Sequence, residues 1–198
     1  MNAVFIHIPK AGGLSIEETL GLWSLRNHHR IRNNFIEKQA GQVSFGHMLY
    51  SKLIRMGYVS KEFDESAFKF CFCRNPYDRA VSHWAYTMRK HPDITLPGTS
   101  FLDFTRGPMS RPEFRVQSWW LQDTEVDFIG RFENFENDIR YVANILGVKI
   151  KNVKRRNSSK HDFYKTHYCQ ESKERVEERY ITDFRDFGYE QDNNLLHG

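Results

Sequence analysis

The stretch FIHIPKAGGLSIEETL, residues 5 to 20, decides how the rest of the chain is interpreted. Mainly apolar residues occupy positions 3 to 8, which is typical of a buried strand. After the glycines, Ile16 and Leu20 recur at helical spacing, so we expect a helix over residues 16 to 25. A strand therefore leads through a tight loop into a helix.

The loop between this strand and helix carries residues suited to binding a phosphate. In open parallel sheets, ligands lie beyond the carboxyl ends of the strands, where a helix start offers N–H groups to an anion. Gly12 and Gly13 let the backbone approach closely, and Lys10 adds a mobile charge. The hydroxyl of Ser15 can donate to a phosphate oxygen, or it can simply cap the helix in a capping box with Glu18. Because Lys10 precedes the glycines, the loop is not a Walker A pattern.

A second segment, FKFCFCRNPYDRAVSHWAY at residues 68 to 86, repeats this arrangement. An apolar strand at 68 to 73 leads into a helix expected over 76 to 89. Arg74 stands at the carboxyl end of the strand, where a guanidinium can bind a second phosphate, and Ser82 can share it from the helix. The alternative is a surface ion pair between Arg74 and a neighbouring acidic residue.

Strands and helices alternate along the whole chain. Further strands are expected at 43 to 46 and 126 to 130, and further helices at 135 to 146 and 171 to 186. We therefore expect a P-loop-like three-layer α/β domain, in which a central, mainly parallel sheet is flanked by helices. One domain covers residues 1–198, and the proline-rich excursion at 91–113 is a lid or an acceptor-binding element with one short helix.

Composition limits the classes of partner and compartment. The formal net charge of +4 fits an anionic ligand without requiring nucleic acid. Three cysteines, with Cys71 and Cys73 on one strand, favour buried thiols in a reducing compartment over a disulfide or metal framework. No apolar run approaches the ~20 residues that span a bilayer. We expect a cytoplasmic protein without a membrane span, although a chain trimmed of a membrane anchor would look the same.

The motifs HIPKAGGLS and CRNPYDRAVSHW together resemble the two nucleotide-binding segments of sulfotransferases that use 3′-phosphoadenosine 5′-phosphosulfate (PAPS). The similarity is greatest to the carbohydrate type, the sulfotransferase family 2-like proteins. GRFENFENDI at 130–139 and DFRDFGYE at 183–190 resemble later blocks of that family. The resemblance implies transfer of a sulfuryl group from PAPS to a hydroxyl of a small-molecule or oligosaccharide acceptor, without a metal.

The resemblance also implies which residues bind the donor. The first motif would hold the 5′-phosphosulfate through Lys10, Ala11, Gly12, Gly13, Leu14 and Ser15. Arg74 and Ser82 would hold the 3′-phosphate, and Asn157 and Ser158 would belong to a loop that closes over the nucleotide. Two positions that often hold threonine in the family are occupied by Ala11 and Leu14, so binding would depend more on backbone amides and Lys10.

Transfer to a hydroxyl also needs a base. His47, in VSFGHMLY, follows a predicted strand and should emerge at the same sheet edge as Lys10 and Arg74. An imidazole suits general-base chemistry near neutral pH, while Lys10 would offset the charge on the leaving phosphate. A hydrogen-bonded edge histidine is the structural alternative, and Glu133 is a second candidate for the base. We expect His7, in the first strand, to be structural.

Two other classes of protein explain part of the pattern. A non-catalytic binder of polyanions or nucleotides explains the basic charge but not two phosphate-type loops after strands. A P-loop kinase needs a hydroxyl residue after its loop lysine and a carboxylate for magnesium, and neither occurs in the expected order. The pair Trp119 and Trp120 is suited to stacking on a sugar ring or to packing in the core.

Overall fold

The structure is a computed structural model that describes residues 1–28, 31–32, 35–90, 98–153 and 164–196. The chain forms two compact units, each assembled from two separate segments. The first, which we call the sheet unit, comprises Met1–Cys73 and Trp119–Asn157. The second, the helical unit, comprises Arg74–Ser118 and Ser158–Gly198. The assignment of residues 1–198 to a single domain stays a prediction.

The strands lie in the sheet unit. They are β1 (Ala3–Ile6), β2 (Trp23–Ser24), β3 (Ile31–Arg32), β4 (Phe35–Ile36), β5 (Gln42–Ser44), β6 (Phe68–Cys73) and β7 (Phe128–Arg131). Five of them form a sheet in the order β2-β5-β1-β6-β7, whereas β3 and β4 pair with each other in antiparallel orientation. All neighbours in the five-stranded sheet are parallel, and Phe5 of β1 lies between Ser44 of β5 and Phe70 of β6.

The helices of the described ranges complete both units. They are α1 (Gly13–Leu20), α2 (Leu25–His28), α3 (Tyr50–Arg55), α4 (Lys61–Ser66), α5 (Pro76–Lys90), α6 (Phe101–Arg106), α7 (Phe135–Leu146), α8 (Gln170–Arg179) and α9 (Ile181–Asp186). The sheet unit contains α1 to α4 and α7, and the helical unit contains the other four. A parallel sheet flanked by helices confirms the predicted α/β class.

The core of the sheet unit is built on its central strands. Every residue of β1 is buried, and so are the last four residues of β6, because parallel strands are covered on both faces. Ile16 and Leu20 of α1 and Ile139 of α7 pack into the same apolar cluster. The buried strands explain why continuous apolar runs, rather than alternating ones, mark them in the sequence.

The helical unit has its own core around α5. Tyr77 and Val81 of α5 are buried in a cluster with Phe104 of α6. Arg79 is completely buried, and its Nη1 lies 3.7 Å from a carboxylate oxygen of Asp183 in α9. This ion pair links the first and last helices of the unit.

Several boundaries differ from the sequence prediction. Helix α1 begins at Gly13, three residues before the predicted start, and ends at Leu20, because Trp23 and Ser24, predicted to be helical, form β2. The helix predicted at 171 to 186 is divided into α8 and α9 by Tyr180, whose backbone is not helical (φ −112°, ψ 24°). Within the excursion at 91–113, residues 91–97 lie outside the described residues, and the remainder contains α6, as predicted, followed by two short 3-10 turns.

Two absences hold for the described ranges alone. None of the helices there combines the length and the apolar character needed to cross a bilayer. No three His, Cys, Asp or Glu side chains in those ranges converge as the ligands of a metal ion would. Cys71 and Cys73 are buried in β6, as the sequence predicted.

Candidate active site

The loop that connects β1 to α1 contains a strained lysine. Lys10 has a φ of 68°, in the left-handed region, and Gly12 has a φ of 83°. Glycine adopts this conformation at no steric cost, but in a residue with a side chain it destabilises the folded state by roughly 1–2 kcal/mol. Such strain clusters at functional sites, and lysine lacks the short polar side chain that eases this conformation for Asp, so the conformation of Lys10 marks the loop as a functional candidate.

Close packing explains both glycines of the loop. A Cβ atom on Gly12 would lie 2.9 Å from Cε2 of Phe135, and one on Gly13 would lie only 1.8 Å from Nε2 of His7. The His7 ring therefore lies directly against the first residue of α1. Gly13 is required by this contact, in addition to any approach of a ligand to the backbone.

Ser15 does not cap α1, contrary to the alternative that the sequence offered. Gly12 is the N-cap residue and provides no side-chain cap, and Ser15 is the third residue of the helix. The capping-box interpretation is therefore wrong. The N–H groups of Gly13 and Leu14 lie in the first turn, where the helix offers no acceptor and where its dipole favours an anion. Ala11 is buried in the apolar core, so any contact it makes with a ligand involves its backbone.

Beneath this loop lies a buried carboxylate, Glu17 of α1. Its Oε1 accepts hydrogen bonds from Nδ1 of His7 at 3.0 Å and from Oγ of Ser44 at 2.7 Å. Its Oε2 accepts one from Nη2 of Arg26 at 2.7 Å. Burial by itself raises the pKa of Glu17, but the hydrogen bonds and charges of these neighbours outweigh it and lower the pKa to about 2. The carboxylate is therefore ionised throughout the neutral range.

His47 lies beside His7, with the ring centroids 4.2 Å apart. Its Nδ1 is 3.0 Å from the backbone oxygen of His7. A carbonyl oxygen can only accept, so Nδ1 carries the proton, and Nε2 of the neutral ring is left as an acceptor. The residue is exposed, yet desolvation by the atoms around its ring and the charge of the neighbouring His7 lower the pKa of His47 to about 4. At neutral pH His47 is therefore an uncharged imidazole, the form that a general base requires.

Sheet order distinguishes His47 from Glu133, the other candidate base. The strand before His47, β5, pairs directly with β1, which precedes the lysine loop. Glu133 follows β7, which is separated from β1 by β6. By strand order His47 is therefore nearer to the strand that precedes the lysine loop. The segment of Glu133 also reaches the loop, since a Cβ on Gly12 would lie 3.1 Å from Phe132 and 2.9 Å from Phe135, so the choice between the two bases stays a prediction.

The two tryptophans after the excursion serve partly as core residues. Their rings meet edge to face, with centroids 4.7 Å apart, and Trp120 packs against the core of the sheet unit. The Trp120 ring also lies 6.1 Å from that of His47. Trp120 thus forms part of the surroundings of the candidate base, whereas sugar stacking stays a prediction.

Arg74, the first residue of the helical unit, is largely buried and forms a forked ion pair. Its Nε and Nη2 each lie 2.8 Å from a carboxylate oxygen of Asp78. Its backbone N–H and C=O are both hydrogen-bonded, at 2.9 Å, to the side-chain amide of Gln117. Ser82 lies one helical turn beyond Asp78, on the same side of α5. Arg74 therefore forms an ion pair, as in the alternative, but the pair is largely buried and not at the surface, and it fixes the orientation of the guanidinium.

The other predicted site residues lie in the helical unit or outside the described part of the chain. Asn157 and Ser158 lie outside the described residues. Arg74 and Ser82 belong to the helical unit and Lys10 to the sheet unit, and their convergence on one nucleotide stays a prediction.

Sequence reasoning missed three residues of this arrangement: Glu17, Ser44 and Gln117. One signal was available, because Glu17 lies four residues after Gly13 and so occupies the same face of α1. A glycine one turn before a buried carboxylate leaves room for a ring between helix and strand. Ser44 and Gln117 have no comparable local signal, since their partners are 27 and 43 residues away in sequence.

Comparison with known proteins identifies the family of the chain and supports its fold. A family model described as the sulfotransferase family matches residues 2–190. An uncharacterized protein of Archaeoglobus fulgidus is 30% identical over 122 residues, which cover 54% of this chain and 90% of that protein. The crystal structure of a sulfotransferase from Alicyclobacillus acidocaldarius aligns with 100% of this chain and 96% of its own, at a TM-score of 0.52 and 16% identity. At that identity the structural similarity supports the fold alone.

Proposed function

Because the chain belongs to the sulfotransferase family, we propose that it transfers a sulfuryl group from PAPS to a carbohydrate hydroxyl, with His47 as the general base. The observation that carries this proposal is that His7 contacts both the loop and the base. His7 touches Gly13 of the lysine loop with its ring and accepts a hydrogen bond from His47 with its carbonyl. The strained loop that would bind the anion and a neutral imidazole are thereby held together in one unit.

The donor would be bound by the two motifs, each suited to one of its anionic groups. The ammonium of Lys10, the first-turn N–H groups of α1 and the hydroxyl of Ser15 would hold the 5′-phosphosulfate. Arg74, fixed by Asp78, and Ser82 would hold the 3′-phosphate. The left-handed conformation of Lys10 supports this assignment, because strain is retained at binding loops.

The reaction needs positioning and charge stabilisation more than covalent chemistry from the protein. The acceptor oxygen forms a bond to sulfur while the bond from sulfur to the bridging phosphate oxygen breaks. Nε2 of His47 takes the proton of the acceptor hydroxyl, and Lys10 offsets the negative charge that develops on the leaving phosphate.

A cytoplasmic location and the exclusion of nucleic acid as a partner stay predictions from composition.

Calorimetric titration with PAPS, its desulfated product and ATP tests the proposal. We expect the wild-type protein to prefer the first two ligands. Charge-assisted hydrogen bonds are worth roughly 1.5–3 kcal/mol, so Lys10→Ala and Arg74→Ala should each weaken binding by roughly 10- to 100-fold. Lys61→Ala and Arg140→Ala, which remove exposed charges of the same kind, serve as matched controls.

The base is tested separately from the donor site. We expect His47→Ala to bind the desulfated product within about threefold of wild type, while labelled PAPS no longer yields a sulfated acceptor. Equal affinity for all three nucleotides would instead indicate a non-catalytic polyanion binder. A preference for ATP that depends on magnesium would indicate a kinase.

A further inference from the structure

Glu17 is the most unusual group of the sheet unit that the proposed chemistry leaves unused. Its carboxylate is 4% exposed and accepts three side-chain hydrogen bonds. Taking a carboxylate out of water costs several kcal/mol, which its partners must offset, and apolar residues of similar size often stabilise a fold better. A structural role alone therefore gives a weak account of Glu17, and its contacts point towards His47 by two routes.

The first route runs through His7. Because Glu17 accepts from Nδ1 of His7, the ring is fixed with Nε2 against Gly13, at the start of α1. The backbone carbonyl of the same residue accepts the Nδ1–H of His47. A displaced His7 would therefore disturb both the lysine loop and the hydrogen bond that sets the tautomer of His47.

The second route runs through Ser44, the last residue of β5. Its hydroxyl has a single proton, which it donates to Glu17 at 2.7 Å. The same oxygen accepts the backbone N–H of Gly46 at 3.3 Å. Gly46 has a φ of 62° and directly precedes His47, so the carboxylate decides how the hydroxyl supports the turn that presents the base.

We propose that Glu17 is a positioning residue of the transfer reaction, which holds His47 as the Nδ1–H tautomer with Nε2 facing the acceptor hydroxyl. It acts through His7 on one side and through Ser44 on the other, and it does not touch the substrate. The inference rests on the proposed role of His47 as the base. The inference therefore assigns a role to Glu17, which is not among the residues proposed to bind the donor.

The test compares Glu17→Gln with Glu18→Gln, which alters the exposed neighbour on the same helix. Nitrogen-15 NMR of the histidine rings without ligand reports the tautomer of His47, assigned by the signals that His47→Gln removes. Steady-state kinetics and titration with the desulfated product separate turnover from donor binding. All measurements are made well below the unfolding temperature of every variant, so that a loss of stability alone changes none of them.

We expect Glu17→Gln to lose the defined Nδ1–H signature of His47 and to lower kcat by roughly tenfold or more, since small displacements of catalytic groups have effects of this size. The affinity for the desulfated product should stay within about threefold, and Glu18→Gln should match wild type. Ser44→Ala, which removes one donor without changing charge, should show the same changes to a smaller extent and carries the test if Glu17→Gln does not fold.

The inference is overturned if kcat and the His47 spectrum of the variants both equal those of wild type. It is also overturned if only one of the two changes, because the carboxylate would then not act through the base. Failure of the proposed function would look different: the wild-type protein would show no PAPS-dependent transfer. In that case the NMR comparison decides on its own whether Glu17 sets the tautomer of His47.

Discussion

Replacing Lys10 should separate the stability of the protein from its function. The left-handed backbone of Lys10 costs roughly 1–2 kcal/mol, and glycine removes this cost. Glycine also lowers the free energy of unfolding by roughly 0.4–1 kcal/mol relative to alanine, because it has more conformational freedom in the unfolded chain. The balance leaves Lys10→Gly more stable than Lys10→Ala, and more stable than wild type, by about 1 kcal/mol. Both variants lose the ammonium, so both should bind PAPS poorly.

Denaturant unfolding measures this difference as a shift of the midpoint at unchanged slope. For a chain of this length, about 1 kcal/mol also raises the melting temperature by roughly 2–4 °C. Asp123 provides a matched control, because it has a φ of 55° and lies in an exposed turn outside the candidate site. Asp123→Gly should exceed Asp123→Ala in stability by a similar amount while leaving turnover unchanged.

Two results would refute this reasoning about Lys10. If Lys10→Gly is no more stable than Lys10→Ala while the Asp123 pair behaves as expected, the loop is not strained at that residue. If Lys10→Gly keeps the wild-type affinity for the desulfated product, the ammonium does not contact the donor. The backbone of the loop would then be the element that binds it.

Two further predictions concern His47 and the contact beneath the loop. Since protonation of His47 removes the base, kcat/KM should fall on the acid side with a midpoint near pH 4, and an acid limb near the unperturbed value of about 6.5 would show instead that the surroundings do not lower the pKa of His47. Gly13→Ala should destabilise the protein by roughly 1–3 kcal/mol through overlap with the His7 ring. His7→Ala in the same chain should recover part of that loss in a double-mutant cycle, and strict additivity would show that the ring is not the obstacle.

The parts of the fold that the sequence predicted are those with a dominant local signal. β6 was predicted at 68 to 73, its observed range, because a strand covered on both faces is mainly apolar, and here only Lys69 interrupts the apolar residues before Arg74. Helix α7 agrees equally well, since its apolar face repeats regularly and Gly147 ends it in the left-handed conformation. The helices α3 and α4 were missed, because six residues are too few to establish a period.

The parts that could not be predicted depend on tertiary contacts. Ser15 and Glu18 offered a local capping signal, but α1 begins at Gly13, where a positive φ at Gly12 and the space beside His7 allow an earlier start. For Arg74 the sequence offered an ion pair with an acidic neighbour as the alternative, and the structure identifies that neighbour as Asp78, four residues along α5. Nothing near Arg74 in the sequence indicates the clamp from Gln117, because the excursion brings that side chain back from 43 residues away.

The topology of the sheet explains why so few residues assemble the candidate site. β1 and β5 are neighbours and run parallel, so the residues that follow them emerge at the same edge. His7 comes directly after β1 and His47 three residues after β5, which brings their rings within 4.2 Å. Gly13 at the start of α1 then leaves space for the His7 ring, and the carboxylate of Glu17, one turn later, holds the ring by a hydrogen bond. Parallel pairing therefore ties the geometry of the lysine loop to that of the base, and a change in either should be measurable in the other.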